Sequence, residues 1–145
     1  MRVYFAGPLF TPYERSFIDD CAARLRADGI EVFVPHEHAL ALPDTRPETI
    51  FAKDWQGLSN ADAVVALLDG PMVDDGTACE IGIFYALMQD DASKKGIVGL
   101  LTDLRGTLGH EGHGLNLFVH GCIEAAGTIC TTLDEVVATV AEWRD

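Results

Sequence analysis

The sequence predicts a single α/β domain spanning residues 1–145. The predicted fold is a flavodoxin-like, Rossmann-like three-layer sandwich around a five-stranded parallel sheet of order 2-1-3-4-5. Three observations predict it. The chain of 145 residues has the length of one domain. Short apolar runs alternate with amphipathic stretches in a repeated β-α order, which is typical of a parallel sheet covered by helices. Two runs are continuously apolar, as expected for strands buried on both faces.

The first unit is a strand, a capped helix and a second strand. Residues 2–6 form a β-rich run, and Thr11 with Glu14 three residues later forms a capping box. Apolar residues then follow at helical spacing: Phe17, Ile18, Cys21, Ala22 and Leu25. Gly29 ends this helix, and residues 31–34 form the second strand.

The middle of the chain repeats the pattern. Residues 36–46 are predicted to form a polar loop, and residues 47–59 a helix. Three of its residues are predicted to face inward: Ile50, Trp55 and Leu58. The apolar run 63–68 is the third strand, and a loop at 69–75 leads into a helix over 76–89.

The last third holds two more strands. Residues 97–101 form a buried strand, followed by a long Gly/His loop at 102–114 and a short helix over 116–125. Residues 128–130 form the last strand, and a second capping box at 132–135 opens the final helix. In a sheet of this order, ligands bind beyond the carboxyl ends of strands 1 and 3. The loops at 7–11 and 69–77 are therefore the predicted ligand loops.

The second ligand loop carries two acidic residues of interest. Gly76 and Thr77 are small residues that let a ligand approach the start of a helix. Glu80 follows in that helix, whose dipole is predicted to keep its carboxylate ionised, as a nucleophile or a stabiliser of a cation. Asp74 lies six residues earlier and can act as proton donor or orienter. The alternative is that Asp74 and Asp75 are solvated turn residues and Glu80 a surface charge.

The first ligand loop adds a glycine and aromatic residues. Gly7 lets a ligand lie on the end of the first strand. By the strand period of two, Tyr4 faces away from Val3 and Phe5. Core packing is the ordinary role for Tyr4 and Phe10, but a tyrosine hydroxyl can also reach a neighbouring carboxylate.

The charge excludes some classes of protein. The chain has 10 Lys+Arg against 23 Asp+Glu, a net charge of −13, which argues against partners such as nucleic acids and anionic membranes. This acidity fits either a salt-adapted surface or an ordinary acidic protein. The sequence has no apolar run long enough to cross a membrane and no signal peptide, so a cytoplasmic location is predicted. Four cysteines without a CxxC pair are predicted to be buried free thiols: Cys21, Cys79, Cys122 and Cys130.

Phosphate and metal sites are not predicted. Neither 3–14 nor 69–93 contains Lys or Arg, and the sequence has no GxGxxG or Walker A motif, so a neutral ligand fits better than a nucleotide. His36 and His38 form one histidine pair, and His110 and His113 form another. Neither pair is an HExxH motif, so polar loops near the pocket, with His36 touching the ligand, are favoured over a metal site. No cofactor is predicted.

Four segments resemble the nucleoside 2-deoxyribosyltransferases. They are Tyr4–Phe10, Asn60–Asp62, Asp74–Gly82 and Gly114–Leu117. They are spread over most of the chain and follow one another in the family's order. Asp75 stands where serine is common in the family. The His-rich loop before Asn116 also departs from the family pattern.

The resemblance implies a mechanism and roles for particular residues. Glu80 attacks the anomeric carbon of a 2′-deoxynucleoside and forms a covalent deoxyribosyl-enzyme, as in retaining glycosidases. Asp74 contacts the base and shuttles its proton, and Tyr4 positions Glu80. Asp62 lines the site beside the base or sugar. Asn116 from a second chain binds the 5′ hydroxyl, which requires at least a homodimer.

The remaining implied substrate-binding residues are Gly7, Pro8, Phe10, Asp54, Gly76 and Thr77. Asp54 is equally compatible with a solvated helix charge. The implied reaction transfers a deoxyribosyl group between nucleobases, in nucleotide salvage. Two alternatives remain. One is an N-glycoside hydrolase of nucleosides or their 5′-monophosphates, whose relatives use serines for the phosphate, whereas the serines here lie outside the ligand loops. The other is a non-catalytic nucleoside sensor.

Overall fold

The sheet has five parallel strands in the order β2-β1-β3-β4-β5. The computed structural model describes residues 1–41, 43–107 and 114–144. The strands are β1 (Arg2–Ala6), β2 (Glu31–Phe33), β3 (Ala63–Leu67), β4 (Gly96–Leu100) and β5 (Gly127–Cys130). The predicted fold class and strand order are confirmed. Every residue of β3 and β4 is buried, as their continuous apolar sequences predict.

Helices cover both faces of the sheet. They are α1 (Pro12–Ala27), α2 (Pro47–Ser59), α3 (Asp75–Asp90), the short α4 (Leu104–Thr107), α5 (Leu117–Ala126) and α6 (Leu133–Arg144), with a 3₁₀ segment at Pro35–Ala41. Val3 and Phe5 pack in one core with α1 and α6, whereas Tyr4 packs in the other with α2, α3 and α5. The alternation predicted for the first strand is confirmed, and it turns Tyr4 toward α3.

Local capping sets several helix ends. Thr11 and Glu14 make the predicted capping box, and Thr132 and Glu135 make the second. Gly29, just beyond the end of α1, has a φ of +81°, a left-handed conformation that favours glycine. These side-chain signals are local in sequence, which is why they could be predicted without tertiary information.

Four predictions about individual positions are wrong or incomplete. The predicted polar loop begins as the 3₁₀ segment, which the Arg26–Glu37 ion pair ties to α1. A short helix, α4, interrupts the predicted loop after β4. Trp55 is not buried in the core but is 42% exposed. Of the four thiols predicted to be buried, Cys79 is exposed and Cys122 is half-buried, whereas Cys21 and Cys130 are buried, and burial raises the pKa of Cys21 to about 11.

Neither a membrane span nor a metal cluster is found in residues 1–41, 43–107 and 114–144. No helix there has the length and apolar character needed to cross a bilayer. No group of three or more His, Cys, Asp or Glu there is arranged to hold a metal ion. The predicted loop containing His110 and His113 lies outside the described residues.

Candidate active site

A tyrosine hydroxyl and a glutamate carboxylate meet between the sheet and α3. The Tyr4 hydroxyl donates a hydrogen bond of 2.5 Å to Glu80 Oε1. Tyr4 is fully buried in β1, and Glu80 lies in the second turn of α3. Because α3 follows β3, its first turns lie at the carboxyl edge of the sheet, next to the end of β1. The two predicted catalytic residues are therefore in direct contact.

Glu80 lines a cleft of about 230 Å³ between α2 and α3. Most of the cleft wall is apolar and comes from Ile50, Phe51, Trp55, Leu58 and Ile83. Its polar groups include the carboxylates of Asp54 and Glu80, beside Gly76 and the exposed Cys79. An apolar cleft with a few convergent polar groups is the usual form of a small-molecule site.

Asp54 and its neighbour Lys53 form an ion pair at this cleft. Lys53 Nζ lies 2.7 Å from Asp54 Oδ1 and donates a 2.8 Å hydrogen bond to the Pro35 carbonyl oxygen. Asp54 Oδ1 is buried, and among the described residues it accepts no hydrogen bond, since the lysine contact lacks hydrogen-bond geometry. Because Oδ1 is shielded from solvent beside Lys53, a ligand in the cleft would meet the exposed remainder of the Asp54 carboxylate.

The carboxyl group of Glu80 holds its proton more tightly than an exposed glutamate does. Burial raises the pKa of Glu80 to about 7, the Tyr4 hydrogen bond and Lys53 oppose this rise, and the negative charges of Asp54 and Asp74 add to it. The prediction that the helix dipole keeps Glu80 ionised is therefore wrong. The dipole acts within the first turn of a helix, and Glu80 lies beyond it.

Tyr4 remains a hydrogen-bond donor. Burial, followed by the negative charge of Glu80, raises the pKa of Tyr4 far above its ordinary value. The protonated hydroxyl therefore keeps Glu80 Oε1 occupied, and Oε2 is the oxygen left for a reacting group.

Asp74 caps α3. Its Oδ2 accepts hydrogen bonds from the backbone N–H of Thr77 at 3.0 Å and from the Thr77 hydroxyl at 3.2 Å. Thr77 is buried, so its polar groups serve this cap and are not presented to a ligand, contrary to the prediction for Thr77. Gly76 is exposed at the same turn and borders the cleft.

The first ligand loop contributes less than predicted. A Cβ atom at Gly7 would lie 2.8 Å from Ile18 Cδ1 and 3.1 Å from Leu67 Cβ, so close packing already accounts for this glycine. Pro8 is buried. The Phe10 side chain is 77% exposed, so Phe10 lies outside the core. Its backbone N–H donates a hydrogen bond to Glu14.

Two other predicted contacts lie away from the cleft. Asp62 precedes β3, at the amino edge of the sheet, where its Oδ2 accepts from the Arg2 backbone and its carbonyl oxygen from Lys95. The prediction that Asp62 lines the site is wrong, because a residue before a parallel strand lies at the edge opposite the carboxyl ends. His36 Nε2 lies 2.7 Å from Asp19 Oδ1 on α1, so this nitrogen faces α1.

Asn116 is exposed at the start of α5. Its Oδ1 accepts from the backbone N–H of Phe118 at 2.9 Å and of Val119 at 3.3 Å, so it caps its own helix. Leu117 and Phe118 beside it are also exposed, 85% and 87% respectively. Exposed large apolar side chains of this kind mark interaction surfaces when they form a patch.

Sequence reasoning had named most of the α2 residues that border the cleft. Asp54 was implied as a substrate-binding residue, and Ile50 and Leu58, four residues to either side of it, were expected to face inward. No local pattern indicated Lys53. Phe33 was also missed: its ring stacks on Tyr4 with centroids 5.4 Å apart, and on its other neighbour, His38, at 4.3 Å.

Comparisons with solved structures support the fold. A conserved protein from Enterococcus faecalis V583 is 27% identical, with a TM-score of 0.81 and 98% of both chains covered. A 2-deoxyribosyltransferase from Bacillus psychrosaccharolyticus is 20% identical, with a TM-score of 0.69 and coverage of 94% of this chain and 90% of that one. A CMP N-glycosidase from Clostridium botulinum is also 20% identical, with a TM-score of 0.64 and coverage of 98% and 99%.

The family of this chain is shown by its sequence. No curated protein matches the chain at a significant level. The family model described as nucleoside 2-deoxyribosyltransferase matches residues 3–119, which include Tyr4, Asp54, Asp74 and Glu80. The match spans most of the chain and includes both partners of the tyrosine–glutamate contact. This chain therefore belongs to the nucleoside 2-deoxyribosyltransferase family.

Proposed function

We propose that this protein transfers the 2-deoxyribosyl group of a 2′-deoxynucleoside from one nucleobase to another, through a covalent intermediate on Glu80. One observation carries the proposal: Tyr4 holds one oxygen of a half-buried glutamate that borders a cleft of about 230 Å³. A carboxylate fixed in this way is a suitable nucleophile for an anomeric carbon.

In the first half-reaction, ionised Glu80 attacks C1′ through Oε2. The C1′–N bond breaks as the C1′–O bond forms, and its electron pair leaves with the base. The departing base takes up a proton that solvent supplies through Asp74, whose Oδ1 is outside the capping hydrogen bonds. The Asp54 carboxylate, which borders the cleft, accepts a hydrogen bond from a base N–H group.

The second half-reaction reverses these steps with a different base. The incoming nitrogen attacks C1′, its proton returns through Asp74, and the ester bond to Glu80 breaks. The product is a new deoxynucleoside, and the enzyme returns to its starting state. Water in place of the base would give hydrolysis, so exclusion of water by the apolar wall of the cleft favours transfer.

An unphosphorylated substrate fits the charges near the carboxyl edge. Three cations near this edge have partners within the protein. Lys53 contacts Asp54 and the Pro35 carbonyl oxygen, Arg15 donates to the Leu9 carbonyl oxygen, and Arg105 pairs with Asp103. A phosphate would have to displace these contacts and approach the carboxylates of Asp54 and Glu80. This argues against the alternative reaction, hydrolysis of a nucleoside monophosphate.

A second copy of the chain completes the site in this proposal. Asn116, with the exposed Leu117 and Phe118, would pack against a neighbour and offer its amide to the sugar's 5′ hydroxyl. The assembly would be at least a homodimer. The proposed reaction needs no cofactor, and it would serve nucleotide salvage in the cytoplasm.

Base exchange tests the proposed function directly. Incubation with deoxyinosine and adenine should give deoxyadenosine and hypoxanthine, detected by chromatography, and Glu80→Ala should abolish the exchange. Free deoxyribose formed without any dependence on adenine would instead indicate a hydrolase. Saturable nucleoside binding without turnover, unaffected by Glu80→Gln, would indicate a sensor.

A further inference from the structure

Lys53 is a nearly buried lysine in the middle of α2. Its side chain is only 11% exposed, although a lysine head group normally stays in water. Its Nζ reaches the Pro35 carbonyl oxygen at 2.8 Å and Asp54 Oδ1 at 2.7 Å. Burying an ammonium group is unfavourable unless it is paired, so these contacts account for its position.

The other shielded lysine on this side of the sheet has a different setting. Lys94 Nζ donates to the carbonyl oxygens of Ser59 and Ala61, near the carboxyl end of α2, and lies 5.1 Å from the centroid of the Phe84 ring. Lys94 Nζ also lies 3.9 Å from Asp91 Oδ2, a carboxylate that does not border the cleft. Lys53 instead contacts Asp54, a carboxylate that does border it.

Lys53 also changes the charge balance around Glu80. Asp54, which Lys53 contacts at 2.7 Å, borders the same cleft as Glu80. Among the described residues, four groups act on the charge of Glu80: the Tyr4 hydroxyl from β1, Asp54 and Lys53 from α2, and Asp74 from the start of α3. Two of the four are carboxylates and one is an ammonium group. Without Lys53, Glu80 would face two negative charges balanced by no positive charge, in a site where burial already opposes ionisation.

We propose that Lys53 is a positioning residue that fixes Asp54 at the cleft wall and supplies the positive charge that lets Glu80 ionise. Through the Pro35 carbonyl oxygen it also ties the 3₁₀ segment to α2. The electrostatic part of this role is independent of turnover. Its consequence for catalysis rests on the function proposed above.

Carboxyl ¹³C NMR tests the electrostatic part without any substrate. Protein labelled at glutamate is titrated from pH 4 to 9, and the Glu80 signal is identified by its loss in Glu80→Gln. In Lys53→Met the Glu80 midpoint should rise by about half a pH unit or more, because a nearby opposite charge has been removed. In Lys53→Arg the Glu80 midpoint should lie close to the wild-type value, because the positive charge is kept. Lys95→Met, at an exposed lysine near the opposite edge of the sheet, should leave the Glu80 midpoint unchanged.

Kinetics test the catalytic part. If Glu80 must be ionised to react, Lys53→Met should lose more kcat/KM at pH 6 than at pH 8.5, and Lys53→Arg should recover the wild-type profile. Should Lys53→Met fail to fold, Lys53→Gln, which keeps a donor for Pro35, gives the same comparison. An unchanged Glu80 midpoint, or an equal loss of rate at every pH, would overturn the proposal. If the midpoint shifts but wild-type protein exchanges no base, the proposed function fails and the electrostatic role stands.

Discussion

Tyr4 and Glu80 are 76 residues apart in sequence, and their 2.5 Å hydrogen bond joins β1 to α3 across the carboxyl edge of the sheet. The bond has two consequences. It occupies Glu80 Oε1 and so leaves Oε2 for a reacting group, and it favours the ionised carboxylate, which burial alone would disfavour. The buried tyrosine therefore both orients and activates the proposed nucleophile.

Tyr4→Phe should weaken catalysis most at low pH. The change removes a hydrogen bond to a charged group, which is worth about 1.5–3 kcal/mol, or roughly a tenfold to hundredfold loss in kcat/KM at neutral pH. Loss of the bond also raises the pKa of Glu80, so the acidic limb of the pH–rate profile should move to higher pH. Tyr13→Phe, at an exposed tyrosine, is the control. A tyrosine that only packs would leave the profile unshifted.

Glu80→Gln should stabilise the protein above neutral pH. The folded-state pKa of about 7 exceeds the ordinary value of 4.5, so the folded state binds this proton more tightly than the unfolded state. The resulting stability is present below pH 4.5 and is lost as the pH rises to about 7. At 1.36 kcal/mol per unit, the ionised wild type should be less stable than the variant by up to about 3 kcal/mol at pH 8.

Urea unfolding at pH 4.5 and pH 8 measures this difference. The two proteins should have similar free energies of unfolding at pH 4.5, because neutral Glu80 and Gln then occupy the same site. An equal difference at both pH values would mean that the amide changes packing and that Glu80 titrates normally.

Gly57→Ala should disturb Tyr4 from a distance. A Cβ atom at Gly57 would lie 2.6 Å from the Phe33 ring, which stacks on Tyr4. The ring must move, and displacing the tyrosine that holds Glu80 should lower kcat by about tenfold or more, because misplacement of about 1 Å can cost a hundredfold. Gly82→Ala is the matched control, since nothing lies within 4 Å of its Cβ position. It should leave activity unchanged and stabilise α3 by about 0.5–1 kcal/mol.

Trp55 should report nucleobase binding. Its indole borders the cleft and is partly exposed, and the chain has two tryptophans, the other being Trp143 in α6. In Trp143→Phe, adenine should change the Trp55 emission saturably as the base displaces water from the ring. Trp55→Phe, which keeps Trp143, should show no change. A response that persists in Trp55→Phe would place the binding site elsewhere.

Several parts of the fold and site could be predicted because their signals are local. The period of two in β1 predicted the face of Tyr4, and the capping box predicted the start of α1. The strand-order rule predicted that Glu80 would lie near the end of the first strand, where the Tyr4 contact is found. Each of these follows from residues within one or two turns of each other, or from topology alone.

The errors concern properties that depend on tertiary environment. The ionisation of Glu80 was misjudged because its burial is set by α2, which the local sequence of α3 does not reveal. Lys53 belongs to no recognisable motif. Its buried position depends on a contact with the Pro35 carbonyl oxygen, 18 residues earlier in the chain. The error about Asp62 was avoidable, because a residue that precedes β3 lies at the amino edge of the sheet.

The proposed sharing of the site between two chains can be tested by mixing variants. Glu80→Gln removes the nucleophile, and Asn116→Ser keeps a helix-capping side chain but shortens it, so that it cannot reach a neighbour. Each variant alone should be nearly inactive. In a mixed dimer, one site would combine Glu80 of the serine variant with Asn116 of the glutamine variant, and random exchange should restore about a quarter of wild-type activity.

Two controls make the mixing result decisive. Unmixed variants treated by the same dissociation and reassociation should stay inactive, which excludes recovery from refolding alone. Leu117→Asp and Phe118→Asp together place charge in the exposed apolar pair and should reduce both assembly, measured by light scattering, and the recovered activity. If the mixture shows only the summed activity of its parents, each site lies within one chain, and Asn116 serves only as the cap of α5.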